Sequence, residues 1–252
     1  MKPQNIEEYK KWFFEKFGDK VTTKTSNYYD SVSRKLKNDF EKSSFWQTLL
    51  SSLQDINDEY YLIDKFKLFR PNERPELFIK SFDSFFLKSY RKNIINNKNF
   101  PEEPKDGWIS NTNWFEKTSD IVRTTLVVKY LDGVEFLANK IKLLAENDDF
   151  KYSIDYEAKE EGYYAAHINL SRPFEIPDEK WDTKKIEFNI EIQITTQLQE
   201  VIKILLHQHY EHNRKTLKSD KNIKWQWDYK SEEFASNYLG HILHYPPTAK
   251  NS

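Results

Sequence analysis

The sequence predicts an α/β fold in which a mixed sheet of about five strands is flanked by helices, with helical N- and C-terminal extensions. Apolar residues recur at helical spacing through the first quarter of the chain. Apolar and polar residues alternate over 186–195, which is typical of a strand with one buried and one polar face. A β-type run over 123–130 precedes a helix with one apolar face, and this order indicates α/β layering.

The first quarter of the chain carries signals of helix ends. Asn5 opens an N-cap pattern, and Gly18 predicts the end of that first helix. Residues 26–57 predict one broken helix or two consecutive helices. After a charged loop with two prolines at 70–76, helical patterning resumes over 80–93.

The second half of the chain carries strand signals and then further helices. A capping-box pattern at 132–135 predicts the start of the helix that follows the first strand. Residues 151–156 and 163–170 predict a hairpin. Helices are expected over about 196–215 and from Ser231 onward.

Composition narrows the class of protein. Lys and Arg total 39 against 40 Asp and Glu, so no overall charge draws the chain to nucleic acid or to a membrane. The absence of Cys excludes a disulfide framework, a thiol nucleophile and a thiolate zinc site. No stretch approaches the roughly 20 apolar residues that span a bilayer. These features predict a cytoplasmic protein that binds no membrane.

Lys80, Ser84 and Lys88 form a candidate phosphate-binding group. If their segment is helical, this spacing places all three side chains on one face. Two cations and a hydroxyl there would bind a triphosphate. A solvated lysine-rich face is the other interpretation of the same spacing.

Asp120 and Glu191 are candidate Mg²⁺ ligands. Asp120 precedes the strand over 123–130, and Glu191 lies on the polar face of the strand over 186–195. Phosphoryl-type transfer needs such carboxylates, because Mg²⁺ prefers carboxylate and phosphate oxygens. The alternative is a turn-capping role for Asp120 and a solvent-exposed strand position for Glu191.

Tyr163 and His167 lie on one face of the predicted hairpin strand. A ring at Tyr163 would stack on a nucleobase and so position an acceptor. Simple packing of a hairpin tyrosine is the alternative interpretation.

Read in order, four segments resemble the RelA/SpoT synthetase domain: KSFDSFFLKSYRK at 80–92, SDIVRTTLVVKYLDGVEFLANKI at 119–141, KEEGYYAAH at 159–167 and EIQITTQLQ at 191–199. The resemblance spans about residues 78–215, where His207 and Tyr210 are similar to the family's His-x-x-Tyr ending. It implies an ATP-dependent pyrophosphokinase that uses Mg²⁺. In that reaction a ribose 3′-hydroxyl attacks the β-phosphorus of ATP and AMP leaves.

The same resemblance implies a role for each site residue. Asp120 and Glu191 would be catalytic and would bind Mg²⁺, with Glu191 either holding the metal or deprotonating the attacking hydroxyl. The residues expected to bind ATP are Phe78, Lys80, Ser84 and Lys88. The residues expected to bind the acceptor are Lys159, Tyr163, His167 and Gln193.

Several positions depart from the family pattern. Phe78 replaces an arginine and would stack on adenine instead of contacting phosphate as a cation. Thr125 and Thr195 stand where the family carries two further arginines. These departures leave the acceptor preference open. Residues 171–185 also lengthen the link to the last strand, as an extended hairpin or a loop.

The expected organisation is a helical N-terminal region at 1–70, a synthetase core at 71–217, and an aromatic C-terminal helix and tail at 218–252. No His-Asp dipeptide occurs, so the hydrolase half of long family members is not expected. GDP or GTP is the favoured acceptor, giving (p)ppGpp-type alarmones. The alternative is a toxin that pyrophosphorylates the 3′ end of tRNA, with an antitoxin as partner. A homo-oligomer also stays open.

Other classes of function leave weaker signals. A degenerate module that binds nucleotides without turnover fits the departures at Phe78 and Thr195, and a helical interaction module would use the aromatic ends of the chain. His207, His209 and His212 lack the spacing of a helical zinc protease. The motifs of P-loop enzymes and of dinucleotide-binding folds are absent.

Overall fold

The computed structural model describes residues 2–71, 74–158, 164–177 and 182–201. Its helices are α1 (Ile6–Phe17), α2 (Thr23–Glu41), α3 (Ser44–Asp64), α4 (Phe82–Tyr90), α5 (Trp114–Lys117) and α6 (Asp132–Asn147), and a π-helical turn at Arg91–Ile95 follows α4. Its strands are β1 (Leu77–Ile79), β2 (Val122–Val128), β3 (Lys151–Ala158), β4 (Tyr164–Pro177) and β5 (Thr183–Thr196). Residues 197–201 are helical. The rest of the helix expected over 196–215, and the one expected from Ser231, lie outside the described residues.

The predicted signals at the ends of the first helix are confirmed. The Asn5 side chain accepts a hydrogen bond from the backbone N–H of Glu8 at 2.9 Å, and Gly18 ends α1 with a left-handed φ of 81°. The region over 26–57 contains two consecutive helices, α2 and α3.

The sheet is mixed and five-stranded, as predicted. Its strand order is β1-β2-β5-β4-β3. The central pair β2–β5 is parallel, and the other neighbouring strands are antiparallel. Helix α6 and the β3–β4 hairpin lie between β2 and β5 in the chain. This long connection is what a parallel pair of strands requires.

Strand β5 shows why the sheet has one buried face. Its apolar residues are all buried, whereas Glu191 and Gln193 lie between them on the other face. Helices α2 and α6 pack against the sheet. The buried apolar residues, from Tyr9 in α1 to Ile194 in β5, form one core. The N-terminal helices therefore share a core with the sheet.

Residues 171–177 and 183–185 of the insertion pair as the antiparallel strands of an extended hairpin, one of the two predicted forms. Strand β4 continues to Pro177 and pairs with β5, which begins at Thr183. Within the described residues, the structure has no helix long and apolar enough to cross a membrane.

Two local predictions are wrong. Lys80 precedes α4 instead of lying within it, because residues 77–79 pair with β2 as a short strand that the sequence did not reveal. The capping box at 132–135 does not form. Leu131 occupies the N-cap position, and the Asp132 carboxylate instead accepts a hydrogen bond from the Tyr60 hydroxyl at 2.7 Å.

Truncation of Leu36 in α2 should destabilise the fold strongly. Leu36 is fully buried in the core, so we expect Leu36→Ala to lower the free energy of unfolding by about 2–5 kcal/mol. Leu62→Ala in α3 is the matched control, because Leu62 is 71% exposed and should change stability little. Urea unfolding followed by circular dichroism measures both. Equal losses in the two variants would contradict the assigned core.

Candidate active site

The face of the sheet opposite the core carries the candidate site. In the parallel pair, Arg123 lies beside Glu191 and Thr125 lies beside Gln193. His167 of β4 lies beside Gln193 on the other side of β5. Because side chains alternate along each strand, these residues share one face, which we call the polar face.

A carboxylate held between two ammonium groups lies at the start of β2. The Asp120 carboxylate contacts Lys80 Nζ at 2.7 Å and Lys88 Nζ at 2.8 Å. The Asp120 side chain is only 11% exposed, and Lys80 is nearly as buried. We call this group the Asp120 cluster. This cluster connects the residue that follows β1, helix α4 and the segment that precedes β2.

The backbone around Lys80 is fixed on two sides. The Lys80 N–H donates to the carbonyl of Ile121 at 2.8 Å and so extends the β1–β2 pairing by one residue. The fully buried Tyr29 of α2 donates its hydroxyl to the Lys80 carbonyl at 2.9 Å. The position of the ammonium group thus depends on two elements of the core.

The lysines keep Asp120 ionised. Desolvation acts to raise the pKa of the Asp120 carboxyl, but the hydrogen bonds and charges of Lys80 and Lys88 outweigh it and lower that pKa. Asp120 therefore remains an anion at neutral pH. The cluster holds two cations against one anion, which favours a further anion such as phosphate.

Ser84 lies on α4 one turn before Lys88. Its backbone N–H donates to the N-cap Ser81 hydroxyl at 3.4 Å, and its own hydroxyl accepts from Ser81 at 3.0 Å. Ser84 is exposed and shares a helix face with Lys88. Of the three residues predicted to bind phosphate, Ser84 and Lys88 thus lie on α4, and Lys80 lies before it.

Glu191 and His167 form a hydrogen-bonded pair on the polar face. His167 Nδ1 lies 3.0 Å from Glu191 Oε1, and His167 Nε2 lies 3.8 Å from the Glu157 carboxylate. The hydrogen bond with Glu191 raises the pKa of His167 against the effect of desolvation, and the charges of Glu157 and Asp155 raise it further. His167 is therefore positioned to hold the Glu191 carboxylate.

A pocket of about 360 Å³ opens on the β1–β2 side of the polar face. Phe78, which is 56% exposed, lines it together with Arg123 from the neighbouring strand and Arg74 from the preceding loop. Thr125 and Gln193 also contribute to its wall. Two arginines thus line the same pocket as Phe78 and Thr125, which stand where the family pattern carries arginines. Arg74 was missed by the sequence reasoning, since no spacing rule connects it to the strands.

The donor atoms present suit a hard cation. Carboxylates of Asp120 and Glu191 supply oxygen ligands, and the side-chain oxygen of Asn169, beside Glu191 in the β4–β5 pairing, is buried without a hydrogen-bond partner among the described residues. Asp120 precedes Arg123 by three residues, so it lies roughly 10 Å along the strand direction from the level of Glu191. The described part of the chain contains no group of three or more His, Asp or Glu residues that would hold a metal ion. A shared Mg²⁺ site stays a prediction.

Four residues assigned by resemblance cannot be placed. Lys159 and Tyr163, expected to bind the acceptor, lie outside the described residues, as do His207 and Tyr210. Their roles stay predictions.

Sequence comparisons find no match, whereas structural comparison finds similar folds. No known family model matches this chain, and no curated protein matches it. Small alarmone synthetase 1 from Bacillus subtilis aligns with a TM-score of 0.47 and 16% identity, covering 78% of this chain and 83% of that one. A GTP pyrophosphokinase family protein from Streptococcus pneumoniae aligns with a TM-score of 0.48 and 14% identity, covering 88% and 87%. The Bacillus subtilis enzyme bound to its product pppGpp aligns with a TM-score of 0.46 and 18% identity, covering 78% and 86%. These similarities are remote.

The pKa of His167 should depend on Glu191. We expect Glu191→Gln to move that pKa back towards the ordinary histidine value, because it removes the main stabilising partner of the imidazolium. Since the pKa is raised in the folded chain, the pair stabilises the fold below the ordinary histidine pKa. That contribution is lost as pH rises through the raised value.

Proton–carbon NMR of the histidine rings over a pH series measures this shift, with the His167 signal assigned through His167→Asn. Glu187→Gln is the matched control, because Glu187 lies on the same strand but contacts Ser171 and Lys151. An unchanged His167 pKa in Glu191→Gln would refute the pairing.

Proposed function

We propose that this protein is an ATP-dependent pyrophosphokinase that transfers the β,γ-pyrophosphate of ATP to the ribose 3′-hydroxyl of GDP or GTP. The observation that carries the proposal is the Asp120 cluster, in which a buried carboxylate and two ammonium groups stand beside a polar face bearing Glu191. The sequence resemblance to RelA/SpoT synthetase domains supports the same reaction.

The Asp120 cluster and the adjoining pocket would bind the donor. Lys80 and Lys88 would contact the ATP phosphates, with the Ser84 hydroxyl on the same side of α4 as Lys88. Phe78 offers an exposed ring for adenine in the pocket that also contains Arg123. Charge-assisted contacts from lysines hold the polyphosphate and stabilise charge that develops during transfer.

Glu191 would act on the acceptor. His167 holds Glu191 Oε1, and we assign the second carboxylate oxygen to accept the proton of the 3′-hydroxyl. The hydroxyl oxygen then forms a bond to the β-phosphorus. The bond from that phosphorus to the oxygen bridging the α-phosphate breaks, and its electron pair leaves on AMP.

Asp120 and Glu191 are the residues that would hold Mg²⁺, with phosphate oxygens and water completing the coordination. When bound, the ion neutralises negative charge on the polyphosphate. Ionised Asp120 suits this role because its pKa is already lowered.

Labelled ATP tests the reaction and its acceptor. Purified protein with Mg²⁺ and γ-labelled ATP is offered GDP, GTP or deacylated tRNA in separate reactions, and the products are separated by thin-layer chromatography and denaturing gels. We expect label on the guanine nucleotide and release of AMP. Label on tRNA alone would overturn the proposed acceptor in favour of a tRNA-modifying toxin. Label on neither would indicate a nucleotide-binding module without turnover.

Removal of the carboxylate at 191 should abolish turnover without unfolding the chain. We expect Glu191→Gln to reduce the rate of AMP release by roughly 10²–10⁴-fold, the usual contribution of a general base. Glu187→Gln, on the same strand and face, should stay within a few-fold of the unmodified protein. Thermal unfolding of both variants checks that the fold is retained. Full AMP release by Glu191→Gln would remove Glu191 from the mechanism.

A further inference from the structure

A large basic cavity lies next to the Asp120 cluster. It has a volume of about 670 Å³ and is formed by the π-helical turn after α4, the loop that follows and the end of α5. In the part of the chain that the structure describes, its lining carries one carboxylate, Asp106, against the four ammonium groups of Lys92, Lys98, Lys105 and Lys117, and the Glu103 carboxylate lies 3.9 Å from the Cβ position of Gly107. Three asparagines complete most of its polar wall: Asn96, Asn97 and Asn99. We call it the lysine cavity.

Lys92 connects the lysine cavity to the Asp120 cluster. It follows Lys88 by four residues and lies on the π-helical turn, which the Asn96 N–H closes by donating to the Arg91 carbonyl at 2.8 Å. Loss of solvent around its ammonium group and the charge of Lys88 lower the pKa of Lys92, although the residue as a whole is exposed. The attraction of Asp120 also reaches it. The charges of the Asp120 cluster are thus close enough to act on Lys92.

Side-chain hydrogen bonds to backbone carbonyls hold the wall of the cavity in place. Lys117 Nζ donates to the Asp106 carbonyl at 2.7 Å. Gly107 adopts a left-handed φ of 73°, and a Cβ there would come within 2.5 Å of Lys117 Nζ. Asn97 is buried and donates to the Glu102 carbonyl at 2.8 Å. Lys98 and Lys105 stand exposed on this wall.

The chemistry of the lining favours phosphate groups over a base. Among the described residues that line the lysine cavity there is no aromatic ring, so this lining offers no platform for stacking. Lysines are compact point charges, and asparagine amides donate hydrogen bonds to phosphate oxygens. The volume far exceeds the needs of a single phosphate ion.

We propose that the lysine cavity binds a polyphosphate chain, such as the triphosphate tail of a nucleotide. The inference that this polyphosphate belongs to a substrate of the protein rests on the proposed function. Two sources share this chemistry: the phosphates of the donor itself, extending past Lys88 and Lys92, and a second nucleotide that regulates the enzyme.

Inorganic tripolyphosphate is the probe, and isothermal titration calorimetry on the full chain is the measurement. We expect the double substitution Lys98→Gln and Lys105→Gln to raise the dissociation constant about fivefold, since two partly exposed ion pairs are lost. Lys11→Gln with Lys67→Gln is the matched control, because both lysines are exposed and lie outside the cavity. Its dissociation constant should equal that of the unmodified protein.

The other outcomes distinguish a polyphosphate site from an RNA site, and the donor from a second ligand. Equal weakening in both double variants, or none in the cavity variant, would overturn the proposal. Loss of deacylated tRNA binding without loss of tripolyphosphate binding would overturn it in favour of RNA. Competition between tripolyphosphate and a non-hydrolysable ATP analogue would identify the donor as the source, and simultaneous binding would identify a second ligand. Because the titration needs no turnover, the proposal stands or fails independently of pyrophosphokinase activity.

Discussion

The two-residue alternation of β5 is the constraint on which the site depends. One set of its side chains is apolar and fully buried against the helices, so the intervening set must face the other way. A slip of one residue would bury Glu191 and expose Ile190, which makes the register energetically well defined. The pairing with β2 and β4 then places Arg123 and His167 beside the same strand. Core packing thus determines which polar groups meet.

The Asp120 cluster adds a requirement that the core alone does not impose. A buried carboxylate costs several kcal/mol unless it is paired, and here Lys80, just after β1, and Lys88 in α4 provide that pairing. The same lysines are the groups that phosphate would attract. A polyphosphate would share them with Asp120, and a divalent cation would compensate the carboxylate. Under the proposed function, the charges that stabilise Asp120 are thus the same ones that a polyphosphate and a divalent cation would use.

The parts of the fold that follow local rules were predictable from sequence. The cap at Asn5, the stop at Gly18 and the alternation over 186–195 each depend on neighbouring residues. Strand β1 was not predictable, because three residues cannot show a period and the helix signal after them extended over Lys80. In the N-terminal turn of α6, tertiary contact with Tyr60 overrode a valid capping pattern.

The candidate site was likewise predictable from sequence only in part. Resemblance of motifs indicated which residues belong to it, but the convergence of Lys80 and Lys88 on one carboxylate requires chain segments that are distant in sequence. The contact between His167 and Glu191 depends on the β4–β5 register, which no local pattern specifies. Arg74 enters through a loop and left no periodic signal.

The two sides of the polar face carry different charges. This difference indicates where the donor and the acceptor of the proposed transfer would bind. The β1–β2 side carries the lysines of the Asp120 cluster, where a polyphosphate is favoured, and a pocket in which Arg74 and Arg123 stand with Glu76 and Glu200. The β3–β4 side carries Asp155 and Glu157 around His167, where a second polyphosphate would be repelled. Glu191 lies on the strand between the two sides. Under the proposed function, a donor rich in phosphate would bind on the first side, and the acceptor would present its hydroxyl to Glu191 with its own phosphates pointing away from the acidic side.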